Sequence, residues 1–294
     1  RQSARSGEMG TVMSKEVGAE ASGQEKLGLL LAYSALVAVN VLSSMGTFGP
    51  DNAQVSGNWP TLITPKGYAF AIWGPIFMTQ GIACIWGALT QDASMNKAIG
   101  AVLPAWLAMW SSECAWQFVF VNAPMTADPP ISDRLAIFVP SAFLLVSGYL
   151  SGLWACQRLK NARLEGFGPG LVKLSSAVNT GWLSAASCIG IELVREAAAG
   201  GIEKASVPPA VALAGGAAVG ALASLAHFRG GWIGLGYAGA VAWALQAVKV
   251  GPASPSDVKT GSEVGVAVVL AAMGIATVAS FFFKKPSQAD QNDG

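Results

Sequence analysis

The carboxylate that falls deep inside a long apolar run is Glu113, in the stretch from Ile99 to Asn122. A lone ionised acid in such surroundings would cost several kcal/mol, so the group must be neutral, paired or coordinating. Three chemistries remain open: a neutral hydrogen-bonding acid in a packed interior, a proton relay, or an axial ligand to a porphyrin metal. No basic residue shares that run, so any partner must come from another helix. Glu192 has Arg195 three residues on, the spacing of an ion pair at a helix end. The single histidine, His227, stands beside Arg229 in a predicted loop and reads as an interfacial residue. With one histidine no Ser-His-Asp set can be assembled inside a helix bundle. HExxH, paired carboxylates and GxxxxGK[ST] are all missing from the sequence. These residues therefore predict a non-enzymatic protein.

The ten tryptophans are the second unusual group. Trp59, Trp154 and Trp232 lie near predicted membrane ends, where an interfacial belt accounts for them. The others, including Trp73, Trp116 and Trp182, fall inside apolar runs or close to their ends. An indole N–H wants a partner, so several of these should face the protein interior. Packing is one reading; a pocket that holds a flat, apolar ligand between rings is the other. Cys84, Cys114, Cys156 and Cys188 each fall in a predicted helix without a CxxC pattern. They read as small buried packing residues, with a disulfide or a metal site as the alternative.

The elements that must position these residues are transmembrane helices. Apolar residues make up 52% of the chain and charged residues 12%, about half the usual share for a soluble domain. A spanning helix needs about 20 mostly apolar residues. Eight such segments are predicted: 27–46, 67–89, 99–122, 135–156, 171–193, 207–226, 232–248 and 264–283. The sixth and seventh are weak and could instead form one bent or re-entrant unit. With eight spans, twelve basic residues fall on the side of the termini. Six fall on the other side: Lys66, Arg134, Arg195, Lys204, Lys249 and Lys259. The positive-inside rule then places both termini on the cytosolic or stromal side. Gly148-xxx-Gly152 and Gly216-xxx-Gly220 allow close helix approach and read as ordinary packing. The start of the chain, basic and Ser-rich from Arg1 to Gly7, carries a weak signal of an organelle-targeting remnant. A net charge of +1 predicts no nucleic-acid partner.

The stretch Leu62 to Phe77, LITPKGYAFAIWGPIF, resembles the second-helix signature of the translocator protein / tryptophan-rich sensory protein (TspO/MBR) family. Pro65, Gly67, Phe70, Ile72, Trp73, Pro75 and Phe77 carry the resemblance. Trp116 and Phe120 resemble the family's third-helix Trp-x-x-x-Phe, and Gly181-Trp182 with Ala186 its fifth-helix pattern. Asn40 matches a first-helix asparagine. Two positions depart from the family: Glu113 replaces an asparagine, and so does Gly190. The match covers a five-helix core at 27–193. A polar tail (1–26) precedes it; additional helices (194–283), similar to a longer branch of the family, and a polar tail (284–294) follow.

The resemblance implies an all-α polytopic bundle that binds a tetrapyrrole or another flat lipophilic ligand in a Trp-lined pocket. Carried over residue by residue, that pocket is Phe70, Trp73, Phe77, Trp116, Phe120 and Trp182, with Glu113 adding polarity. The ligand classes implied are a porphyrin or chlorophyll, a carotenoid, or a lipid. A different class of reading is an accessory subunit of an organellar pigment–protein complex, such as an algal photosystem in a plastid thylakoid membrane. Its partners would be other membrane subunits, and Asn, Gln, Glu or backbone carbonyls would have to serve as magnesium ligands. A transporter is a third reading, resting on Glu113 alone.

Overall fold

The computed structural model describes residues 19–126 and 128–282, with side chains as far as 280. The tail at 284–294, and residues 1–18 of the tail at the other end, lie outside the described residues. So do Lys284, Lys285 and the basic start of the chain.

Where the sequence shows long apolar runs, the chain is helical. α1 spans Gly23–Ser44. A short α2 (Asn52–Asn58) follows in the first loop. A 3-10 segment, Gly67–Ile72, runs directly into α3, Trp73–Leu89. Then come α4 (Ala93–Phe120), α5 (Ile131–Ala162), α6 (Phe167–Ala199), α7 (Val207–His227), α8 (Gly231–Lys249) and α9 (Ser256–Phe282). No strand occurs among the described residues. Local signals set the boundaries. Ser22 and Glu25 form a capping box at α1, and Asp51 and Gln54 another at α2. Asp92 accepts from the amides of Ser94 and Met95 at the start of α4. Pro75 sits in the first turn of α3, where a missing N–H costs nothing.

Six of the eight expected segments are long and apolar enough to cross a membrane. α4 and α8 are the other two. Both are wrapped by neighbouring helices, with Trp106, Ala105 and Met109 of α4 and Val241 and Ala247 of α8 wholly buried. A helix sheathed in protein does not need a lipid-compatible surface, so it can carry Trp, Gly and polar residues. α1 and α9 show the opposite pattern: they are the most apolar spans and only 17% buried. α7 and α8 are two separate helices, not a bent unit. The turn between them uses positive φ at Arg229, Gly230 and Gly231. α5 and α6 run to 32 and 33 residues, longer than their apolar runs, because their polar end turns continue the helix.

α6 is the hub, packed against α3, α5, α7 and α8. Its buried face carries Ser175, Ser176, Asn179, Thr180, Ser184 and Ser187. Most of these hydroxyls bond back to carbonyls three or four residues earlier, as Ser176 does to Val172 (2.8 Å) and Thr180 to Ser176 (2.6 Å). Small satisfied side chains let backbones approach closely. Gly152 does the same for α5: a Cβ there would lie 2.4 Å from Thr180 Oγ1. The second small-xxx-small pair differs. Gly216 has open space where its Cβ would be, and a Cβ at Gly220 would meet only the Tyr237 hydroxyl of α8, at 3.5 Å, so that pair makes no close backbone approach. All four cysteines are free, with Cys84 and Cys156 buried. The connections differ at the two ends of the bundle. α3–α4, α5–α6 and α7–α8 are joined by turns of three or four residues, whereas the opposite ends carry the longer loops.

Candidate functional site

The long loops close over an aromatic slot. Phe70 comes from the 3-10 segment, Trp73 from α3, Trp116 and Phe120 from α4, and Trp182 from α6; all five line one cavity. The spacing explains the arrangement. Residues four apart on a helix lie one above the other. Trp116 therefore stacks on Phe120 (4.8 Å, 17°) and Trp73 on Phe77 (5.3 Å, 20°). Trp182 meets Trp73 and Phe70 edge-on, at 6.2 and 6.0 Å. The cavity is small, about 60 Å3, so a ligand lying between the rings must part them. The indole N–H groups of Trp116 and Trp182 are buried and have no acceptor in the protein.

Trp59, Thr61, Thr64 and Pro65 form the roof. Trp59 donates to the Pro124 carbonyl (2.9 Å), and the Arg134 guanidinium lies over its ring at 5.2 Å. Glu196 of α6 is buried and accepts the Leu62 N–H at 2.8 Å, fixing the roof to the bundle. Sequence reasoning gave Glu196 no role. Its position one turn beyond Glu192, on the same buried face, was the available signal. Glu192 itself is buried and held by Arg195, whose Nε lies 2.9 Å from Oε2. Replacing Glu196 with alanine leaves the Leu62 amide unsatisfied, at a cost of about 1–3 kcal/mol. The expected result is amide exchange at Leu62 about ten to one hundred times faster, with the α4 and α6 cores unchanged, measured by hydrogen exchange.

Two of the sequence-derived site residues do not line the slot. Phe77 backs Trp73 and faces a neighbouring cleft between α1, α3 and α4. Glu113 is buried one turn before Trp116, where its Oε1 accepts from Asn179 Nδ2 at 2.8 Å. It is absent from the slot wall, so axial ligation of a slot-bound metal by Glu113 does not fit this geometry. The slot offers hydroxyls from Ser56, Thr61, Thr64 and Ser141 and no histidine. Polarity next to the aromatics comes from Gln117 instead. It donates to Asn40 Oδ1 (2.6 Å) and accepts from Asn52 (2.9 Å) and Ser43 (3.1 Å). Gly190 lines the slot where the family pattern has asparagine; α5 is so close that a Cβ there would lie 3.3 Å from the Ala142 Cα.

A family model described as TSPO-like protein matches residues 26–282, nearly the whole described chain and the helices beyond α6 as well. Neither a curated protein nor a solved structure matches the chain.

Proposed function

The chain belongs to the family of TSPO-like proteins, and on that footing we propose that it is a non-enzymatic membrane binder of a flat lipophilic ligand of tetrapyrrole type. The observation that carries this reading is the convergence of Phe70, Trp73, Trp116, Phe120 and Trp182 on one cavity, whose walls include two indoles, those of Trp116 and Trp182, with no protein acceptor for their N–H groups. Ring faces burying against ring faces supply affinity at about 25 cal/mol per Å2 of apolar area. The unused N–H groups favour a ligand with acceptors along its edge, such as ring carbonyls or carboxylates. With Glu113 turned to Asn179, the set suits a metal-free ring or one whose metal takes no carboxylate from the protein.

A metal-free porphyrin titrated into the detergent-purified protein, followed by its own absorbance, tests this reading. Trp73→Ala removes a stacked face, and affinity is expected to fall about tenfold, equivalent to about 1.4 kcal/mol. Trp182→Phe keeps an aromatic ring and deletes one unused donor. It should weaken binding, at a stability cost limited to the volume lost, since a buried unpartnered N–H disappears with it. Unchanged affinity in both variants would defeat the proposal.

A further inference from the structure

A second cleft lies on the other side of the bundle, between α5, α7 and α8, with a volume of about 520 Å3. Its walls are apolar along Leu153, Gly220 and the ring of Tyr237. At one end, where α5 and α7 finish, the lining turns polar. His227 Nε2 lies 2.8 Å from Gln157 Oε1 and 3.0 Å from Lys160 Nζ. The Lys160 ammonium also lies over the Phe228 ring, at 5.6 Å from its centre. Lys160 and Arg229 are exposed, and neither is in an ion pair with a described residue. Within the cleft Ser224 Oγ is buried and has no protein partner, although its residue is only 7% exposed.

These features describe a site with a greasy wall and a cationic mouth at a helix end. We propose that this groove holds one anionic phospholipid. Its phosphate would sit against Lys160 and His227, one acyl chain would run along Leu153, Gly220 and Tyr237, and the glycerol-ester region would meet Ser224. Charge complementarity selects the occupant. An unpaired ammonium at a membrane-facing helix end contributes about 1 kcal/mol towards an anionic headgroup, about fivefold in affinity. A zwitterionic lipid gains less, because its own cation meets Lys160 and Arg229. The site is separate from the aromatic slot and does not depend on what the slot binds.

The test uses the full chain in nanodiscs of mixed phosphatidylglycerol and phosphatidylcholine, with retained lipid counted by native mass spectrometry after release into mild detergent. Phosphatidylglycerol should be retained in preference. Lys160→Gln should cut its affinity about fivefold, and the further change His227→Gln should lower it again. Gly220→Leu fills the groove and should expel lipid of either class. If that variant does not fold, the two charge variants, checked for unchanged helicity and melting, carry the test alone. Equal retention of the two lipids would overturn the proposal, as would an unchanged preference in the double variant. Displacement of the lipid by inorganic phosphate alone would show a simple anion site and would overturn it as well.

Discussion

Gly181→Ala is expected to lower the melting temperature of the purified protein sharply, and Gly181→Val to prevent its recovery as a folded bundle. A Cβ at this position would lie 2.5 Å from the Tyr237 carbonyl oxygen and 3.0 Å from the Ala240 Cβ. The obstacle is backbone, so no side-chain rotation relieves it, and α6 and α8 must move apart. Overpacking of this kind costs about 1–3 kcal/mol and occasionally more. The neighbouring residue is Trp182, so displacement of α6 also disturbs the slot. A graded series isolates the cause. At Gly152 the nearest atom is the Thr180 hydroxyl, at the end of a side chain, so alanine there should cost less. At Gly148 the nearest atom is Leu183 Cδ1 at 3.5 Å, an ordinary contact, and alanine should be tolerated. At Gly216 nothing lies within 4 Å, and alanine should stabilise α7 by up to about 1 kcal/mol through helix propensity. Melting temperatures in that order, with Gly181→Ala lowest, are the expected result. A Gly181→Ala protein that melts with the wild type would show that α6 and α8 are not in backbone contact.

That series also shows what the sequence could not resolve. GxxxG spacing marks Gly148–Gly152 and Gly216–Gly220 alike, yet only Gly152 among the four sits hard against a neighbouring helix. Spacing fixes which residues share a face and leaves open what that face meets. The same limit runs through the site. The i, i+4 rule stacks Trp73 on Phe77 and Trp116 on Phe120, and the family resemblance brings those helices together with Trp182, so the slot was legible. Whether Phe77 faces the slot or the cleft behind it depends on the rotation of α3. Glu113 is one turn from Trp116, close enough in sequence to suggest the slot; the helix twist turns it to Asn179 instead. The spacing to Glu192 marked Glu196 as facing the interior, but not its partner, a backbone amide 134 residues away in a loop without periodicity. The sequence marked the sixth and seventh segments as weak; the sixth, α7, is apolar enough to span, and the helices that fall short are α8 and the undoubted α4, since central helices are written in small and aromatic residues.

The Glu113–Asn179 pair yields the other large expected effect. Glu113 Oε1 accepts from Asn179 Nδ2, while Glu113 Oε2 and Asn179 Oδ1 are both buried without a partner. Two unpartnered oxygens on paired side chains are satisfied together if the acid carries its proton on Oε2 and donates it to the amide oxygen. The result is a neutral two-bond pair, which suits a group only 6% exposed in the bundle centre. Glutamine reproduces that pattern, since its Nε2 can donate where the acid proton did. Glu113→Gln is therefore expected to melt close to the wild type. Glu113→Ala leaves Asn179 with only the weak contact of its Nδ2 to Met109 Sδ (3.6 Å) and opens a cavity, so about 2–4 kcal/mol should be lost. Asn179→Ala leaves Glu113 without its donor and should cost a similar amount. Infrared difference spectra between wild type and Glu113→Gln give a second readout: the carbonyl stretch of a protonated carboxylic acid should be present in the first and missing in the second. A Glu113→Ala protein with wild-type melting, or a wild-type spectrum with no protonated acid band, would mean that Glu113 reaches water and is ionised.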